Sequence, residues 1–467
     1  MYPLVEGSRV SLLNKLSRLD SVGPDPNRAR VLEDLRSRIR ATLERAAPRR
    51  APPPPVDTVD LPFATHETPS GALHVRFQRL SPAHRTGRTS LANARHASAE
   101  LLALLALDPG IAACDASRAL FLDTETTGLA GGAGTVAFLV GLAWWEDGSL
   151  VLEQLLVRAL GEESPMLERV AMRIQQASML VTFNGKSFDM PLLRTRFVMA
   201  RIASPPEPPH LDLLHVARRI HGRRLRNGCR LVAIERDVLG FARQDDVESG
   251  DVSACYLHFL RTGEARALLG VIEHNAWDVV AMAAMVALYG EPLHEHLLGE
   301  DLAGIARTLR RAGALDDALT AADAAVQRDA APASLRTRAD IAKSRGDRAR
   351  ALADFEALAS AVDDASVRLE LAKLYEHWVK EPARALEWVA RGTGETPERA
   401  QRRADRLTRK AERLSSQSSM TFGSEDRKND PGPQPEAPAN DSSRIRSASS
   451  ISAASTTSDG ATRNTLP

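Results

Sequence analysis

Apolar and polar positions repeat with different periods along this chain, and each change of period marks a boundary. The stretch ALHVRFQRL (72–80) alternates like a strand, and SAELLALLAL (98–107) reads as a buried helix stopped by Asp108-Pro109-Gly110. From 118 to 290 strand and helix signals alternate. RALFLDTETT is an apolar run ending in polar residues, and VAFLVGLAWWEDGSLVLEQLLV reads as a hairpin turning at Asp147-Gly148. SPMLERVAMRIQQA is an amphipathic helix with Ser164 as the predicted N-cap, Pro165 at its first position and Glu168 nearby. SMLVTFNG is a further strand. Strands grouped early and then alternating with helices predict an α/β layer built on a mixed sheet flanked by helices.

Residues 298–412 carry almost no strand signal. An Ala-Leu pair recurs at 318–319, 351–352 and 385–386, and Gly313 recurs as Gly346. Spacings of 33 and 34 residues match the helix-turn-helix period of tetratricopeptide repeats. The Trp, Gly and Tyr marks of that repeat are mostly missing, so an irregular Ala-rich bundle is the alternative. The expected organisation is a basic arm and Pro-rich linker (1–59), a lead-in subdomain (60–117), an α/β domain (118–295), helical repeats (298–412) and a disordered Ser/Thr-rich tail (413–467). Within the arm an amphipathic helix is expected around 31–43, ahead of the extended APPPP spacer at 51–55.

Composition limits the function classes. A hydrophobic fraction of 43% in 467 residues is enough for a sizeable core. Lys+Arg 61 against Asp+Glu 60 excludes binding by bulk positive charge. The balance is an average: residues 1–56 hold 11 basic and six acidic residues, and 118–290 hold 18 and 20. Cys114, Cys229 and Cys255 are too far apart for a CxxC metal site or a disulfide framework. The opening MYPLVEGSRV lacks the apolar core of a signal peptide, and no apolar run reads as the ~18–20 residues of a membrane span. A soluble, cytoplasmic chain without a membrane partner is expected.

The sharpest local feature is Asp123-Thr124-Glu125. In a strand, side chains at i and i+2 share a face, so Asp123 and Glu125 project together. Two adjacent carboxylates repel unless a cation sits between them, and hard divalent ions such as Mg²⁺ or Mn²⁺ choose such oxygen ligands. Alone, a DxE on a strand is weak. A second stretch, Asn184-Gly185-Lys186-Ser187-Phe188-Asp189-Met190-Pro191-Leu192, places Asp189 at the start of a helix, where a plain cap is the simpler role. A third, His274-Asn275-Ala276-Trp277-Asp278, puts a His and an acid four apart on one helical face.

Together, DxE, NxxxFDxP and HNxxD in this order resemble the three motifs of the DEDD superfamily of 3′-5′ exonucleases, which have a ribonuclease H-like fold. The flanking text (TETTGLAGGAGTVAFLVGLAWWEDG, HLDLLHVARRI, CRLVAIERDVLG, DDVESGDVSACYLHFLRTG) looks like the YprB-type branch of ribonuclease H-like proteins, which often carries C-terminal tetratricopeptide repeats. The resemblance spans about 98–290, and less firmly the helical part to 410. It implies a nuclease in which Asp123, Glu125, Asp189 and Asp278 hold two Mg²⁺ or Mn²⁺ ions about 4 Å apart. His274 would take the proton of the attacking water. One departure stands out: His274-x3-Asp278 has the spacing of Tyr-type members with a His in the slot, which re-aims the ring.

Around these acids, Thr126 could let the backbone approach a terminal nucleotide or simply turn the chain. Asn184 and Phe188 match the second motif, where they could contact substrate; core packing explains Phe188 equally well. Asp212 reads as a helix N-cap rather than a fifth acid. Arg223 and Arg224 belong to the densest basic run (Arg218, Arg219, Arg223, Arg224, Arg226, Arg230), which could track phosphates or form a solvated face. The leading expectation is a 3′-5′ exonuclease on single-stranded DNA or RNA. A non-catalytic nucleic-acid-binding module coupled to a protein-interaction scaffold is the second reading, and an endonuclease using the same metals the third.

Overall fold

A computed structural model describes residues 60–128, 134–225, 228–244, 246–248, 250–291 and 295–425. The expected basic arm and the tail beyond 425 lie outside the described residues. The strands are β1 (Ala64–Thr68), β2 (Gly71–Leu80), β3 (Arg85–Thr86), β4 (Thr89–Ser90), β5 (Ala119–Thr126), β6 (Ala137–Glu146), β7 (Ser149–Leu156), β8 (Met179–Thr182) and β9 (His210–Asp212). Seven of them form one sheet in the order β1-β2-β7-β6-β5-β8-β9, while β3 and β4 pair with each other. Pairing is antiparallel from β1 to β5 and parallel from β5 through β8 to β9. This is the mixed, helix-flanked sheet of the ribonuclease H-like fold.

Alternation along the central strands explains the two layers. On β5, Phe121 joins one buried cluster with the helices Leu213–His221 and Arg266–Tyr289. Leu120 and Leu122 point the other way, into a cluster with the helices Ser164–Gln176 and Asp189–Ala200. Strand β6 is buried along almost its whole length, as a central strand covered on both faces should be. The β6–β7 hairpin turns at Asp147-Gly148, both with positive φ (49° and 77°), the geometry a two-residue turn demands.

Four sequence expectations are corrected. The lead-in region is no separate subdomain: β7 needs a partner on its free edge, and β2 pairs with it from His74↔Leu156 to Leu80↔Leu150. The helix Ser164–Gln176 is capped by Glu163 rather than Ser164, without a side-chain cap bond, because the Glu163 carboxylate is taken by Arg196 (Nε 2.9 Å). The helices Gly299–Arg311 and Leu315–Asp329 share the core of the sheet unit through Leu302, Ile305 and Ala318. The chain accordingly divides after Ile341, not near 295–298. Finally, the helix Arg266–Tyr289 is long and apolar enough to cross a membrane by composition. It carries His274, Asn275 and Asp278, and 78% of its apolar window is buried inside the fold, which marks a core helix.

The unit from Ala342 onward is helical, with helices Arg348–Ala361, Ala365–Leu374, Pro382–Ala390 and Pro397–Glu425. The last of these continues past 412, into the segment expected to be tail. The 33-residue spacing of Gly313 and Gly346 is a turn spacing: both sit between helices with φ of 86° and 90°. Within the second unit Glu376 is fully buried and is held by Arg406 (2.8 Å) and Lys410 (2.7 Å), so its polar core is paired.

Candidate active site

Where β5 ends, the ladder with β6 slips: Glu125 faces Leu139 but Thr126 faces Ala137, leaving Phe138 as the extra residue of a bulge. A cleft of about 210 Å³ opens there, lined by Asp123, Glu125, Thr126, Phe188, His274 and Asp278 among others. Asp123 and Glu125 share the β5 face that looks toward the Arg266–Tyr289 helix, and this helix contributes His274 and Asp278 one turn apart. One donor atom each from Glu125, His274 and Asp278 lies within 4.8 Å of the others. Asp189 arrives from the opposite layer, at the start of the Asp189–Ala200 helix, and accepts a 2.6 Å hydrogen bond from Thr124 Oγ1. It is therefore bound to the back of the DxE strand, outside the cleft lining and outside the three-donor group.

Electrostatics show how unfavourable this crowding is without a counter-charge. Burial, followed by repulsion from Asp278, Glu125 and Asp189, holds Asp123 well above the ordinary carboxyl range, against a bond from Asn275. Burial first, then Asp278, lifts Glu125 to about 8. Burial lifts Asp189 to about 6, in spite of the Thr124 bond. For His274 burial works to lower the pKa, and Asp278, Asp246 and Glu125 together outweigh it, leaving the ring raised. Acid oxygens that resist ionisation until a cation arrives suit a hard divalent ion, and Glu125 and Asp278, with His274, form the donor group that fits one; Asp123 and Asp189 lie outside that group.

Several residues that sequence reasoning passed over hold these acids in place. Asn275 is fully buried and donates Nδ2 to Asp123 Oδ2 at 2.8 Å. Its own Oδ1 accepts from Gln154 Nε2 (3.0 Å), which also donates to the Ile272 carbonyl (2.7 Å). Arg76 Nη1 completes the chain by donating to Gln154 Oε1 at 3.1 Å. Room for the Asn275 amide exists because Gly141 stands directly opposite Asp123 on β6. A Cβ there would run into Asn275 Oδ1 and sit 2.8 Å from Val279 Cγ2. Arg243 ties down the other side, bonding Glu235, Asp246 and Asp278. The Asn in HNxxD was the available sequence signal for this shell; nothing local marks Gln154 or Arg243.

Other expected residues fall elsewhere. Asn184 has a φ of 71° and shapes the turn, with its backbone N–H donating to Asp212 Oδ1 at 2.9 Å; it does not line the cleft. Asp212 also accepts from Leu214 N and is the N-cap of its helix. Arg224 is not placed for substrate: its guanidinium grips Asp301 at 3.0 Å through both Nε and Nη2, so its charge is already paired inside the fold. Arg223 is exposed and lies outside the cleft lining. Arg226 lies outside the described residues.

Two outcomes test this account. Gly141→Ala should cost about 1–3 kcal/mol by overpacking and should weaken Mn²⁺ binding, read by thermal melts and titration calorimetry. Carboxyls raised in the fold bind protons more tightly folded than unfolded. Their stabilising contribution is full below about 4.5 and is lost as pH rises through about 8 for Glu125. Metal-stripped protein should therefore melt lower as pH rises across that window; Glu125→Gln should flatten the trend and saturating Mn²⁺ should reverse it. A metal-stripped melt series with no difference between wild type and Glu125→Gln would contradict the assignment.

Comparison with known proteins bears on the fold. Residues 120–289 match the profile of the family described as RNase_H superfamily. A protein of Bacillus subtilis (strain 168), "Uncharacterized protein YprB", is 36% identical over 167 residues, which is 35% of this chain and 40% of that protein. The sheet and its two helical layers thus have the ribonuclease H-like fold, and the match to that superfamily's profile covers residues 120–289.

Proposed function

We propose that this chain is a metal-dependent nuclease that hydrolyses phosphodiester bonds of single-stranded nucleic acid, acting as a 3′-5′ exonuclease with two Mg²⁺ or Mn²⁺ ions. The observation that carries the reading is the convergence of Asp123, Glu125 and Asp278 on a cleft open to solvent, with buried Asp189 behind them close enough to raise the proton affinity of Asp123. When bound, the divalent ions would supply an activated water and stabilise the leaving 3′ oxygen. Asp123, Glu125 and Asp278 would hold them, with Asp189 steadied by Thr124. His274, on the cleft wall, takes the proton of the water. Phe188 is 38% exposed and lines the same cleft, so its ring offers a stacking surface for a base. Thr126 Oγ1 donates to the Gly128 carbonyl at 3.0 Å, which shapes the rim where a terminal nucleotide would lie. The recurring helix pairs after 298 are tetratricopeptide-like and would serve a protein partner.

Asp123→Asn should abolish cleavage of end-labelled single strands, by at least about 10²-fold, the scale of losing one preorganised electrostatic group, and should leave the melting temperature equal or higher. Retained cleavage in that variant would sink the proposal. Binding without cleavage by the wild type in Mn²⁺ would instead support the non-catalytic reading, and cutting of circular single strands would identify an endonuclease. Parallel DNA and RNA substrates decide the sugar.

A further inference from the structure

One buried network beside the cleft has no task in the chemistry described so far. Arg243 has a side chain only 2% exposed. Its Nε and Nη2 each donate to Glu235 at 2.7 Å, which fixes the plane of the guanidinium. Nη2 also donates to Asp278 Oδ1, and Nη1 donates to Asp246 Oδ2 at 3.3 Å. The other oxygen of Asp246 lies 2.6 Å from His274 Nδ1.

That last contact determines where the ring proton sits. At 2.6 Å a carboxylate oxygen and a bare ring nitrogen would set two lone pairs against each other, so this contact favours the tautomer with the proton on Nδ1, donated to Asp246. Arg243 Nη1, 3.2 Å from the same nitrogen, is the competing donor, set second by its longer distance and its bond to Asp246 Oδ2. With Nδ1 protonated, the lone pair of the neutral ring is on Nε2. This nitrogen lies on the Asp278 side, 3.6 Å from Oδ2, where His274 lines the cleft.

We infer that Asp246, clamped by Arg243, is the positioning residue of His274: it fixes the proton on Nδ1 and keeps the Nε2 lone pair toward the reacting water. The pairing compensates for the His274-x3-Asp278 spacing, because the ring is aimed by a partner 28 residues away as well as by its own helix. Its catalytic meaning rests on the nuclease reading; the geometry does not.

The test reads the tautomer directly. Full-length protein labelled with ¹⁵N at histidine, with His274→Gln to assign the signals, is measured at a pH where the ring is neutral. Wild-type His274 should show the proton on Nδ1. In Asp246→Asn, Arg243 Nη1 still requires an acceptor, so the amide oxygen turns to it and the NH₂ turns to His274, moving the ring proton to Nε2. In the same variant kcat should fall by about 10²-fold or more, the contribution of a positioned general base, with KM and Mn²⁺ affinity unchanged. A wild-type ring protonated on Nε2, or a proton that stays on Nδ1 in Asp246→Asn, overturns the inference. Should that variant fail to fold, the wild-type spectrum alone still decides where the proton is. The expected tautomers in a protein that cleaves nothing would refute the nuclease reading and leave the pairing standing.

Discussion

Mutual repulsion among Asp123, Glu125, Asp189 and Asp278 is the constraint around which the sheet unit is organised. Two unit charges about 4 Å apart repel by roughly 4 kcal/mol even at an effective dielectric of 20, and a domain has only about 5–15 kcal/mol of stability in total. The fold answers with donors, assigned one acid at a time. Asn275 serves Asp123, Thr124 serves Asp189 and Arg243 serves Asp278. Glu125 takes no hydrogen bond from the described residues and is lifted to about 8, and Asp123 stays well above its ordinary range in spite of Asn275. The compensation is partial by construction, and the part left over is affinity for a cation.

Each of these donors depends on a different level of the structure. Thr124 needs only strand alternation: it points away from Asp123 and Glu125, toward the layer that delivers Asp189. Asn275 needs the helix-to-sheet distance that Gly141 sets. Arg243 needs a salt-bridged partner, Glu235, buried beside it. The site therefore exists only where both layers and the bulged end of β5 are assembled together, although it is small and two of its acids, Asp123 and Glu125, are neighbours on one strand.

That hierarchy explains what could be read from the sequence. Asp123 with Glu125, and His274 with Asp278, were legible because their spacings are those of a strand and a helix, so periodicity alone places them on common faces. Asp189 was ambiguous because a helix cap and a ligand look the same in one dimension. The Asn275–Asp123 and Gln154–Asn275 bonds span 152 and 121 residues and depend on strand register, which no local pattern encodes. Arg243 and Asp246 lie in an aperiodic segment. Arg224 was misjudged for the converse reason: an arginine-rich run looks exposed until Asp301, 77 residues on, turns out to neutralise one member. The lead-in strands and first helical pair were assigned to the wrong units because composition marks segments, whereas packing decides what shares a core.

The alanine-rich half of the Arg266–Tyr289 helix has a consequence that reaches the chemistry. Ala281, Ala283, Ala284 and Ala287 are all fully buried, and they follow directly on the turn that carries Asn275 and Asp278. Small side chains let the helix settle close to its neighbours and so act as a depth gauge for the residues one and two turns upstream. A methylene added at such a position would lift or rotate the helix as a rigid rod, and with about 100° of turn per residue even a slight rotation would carry the Asn275 amide away from Asp123. Cation affinity would then drift before global stability did. In this domain the fineness of the proposed metal site would be set partly by alanines that lie outside the cleft lining.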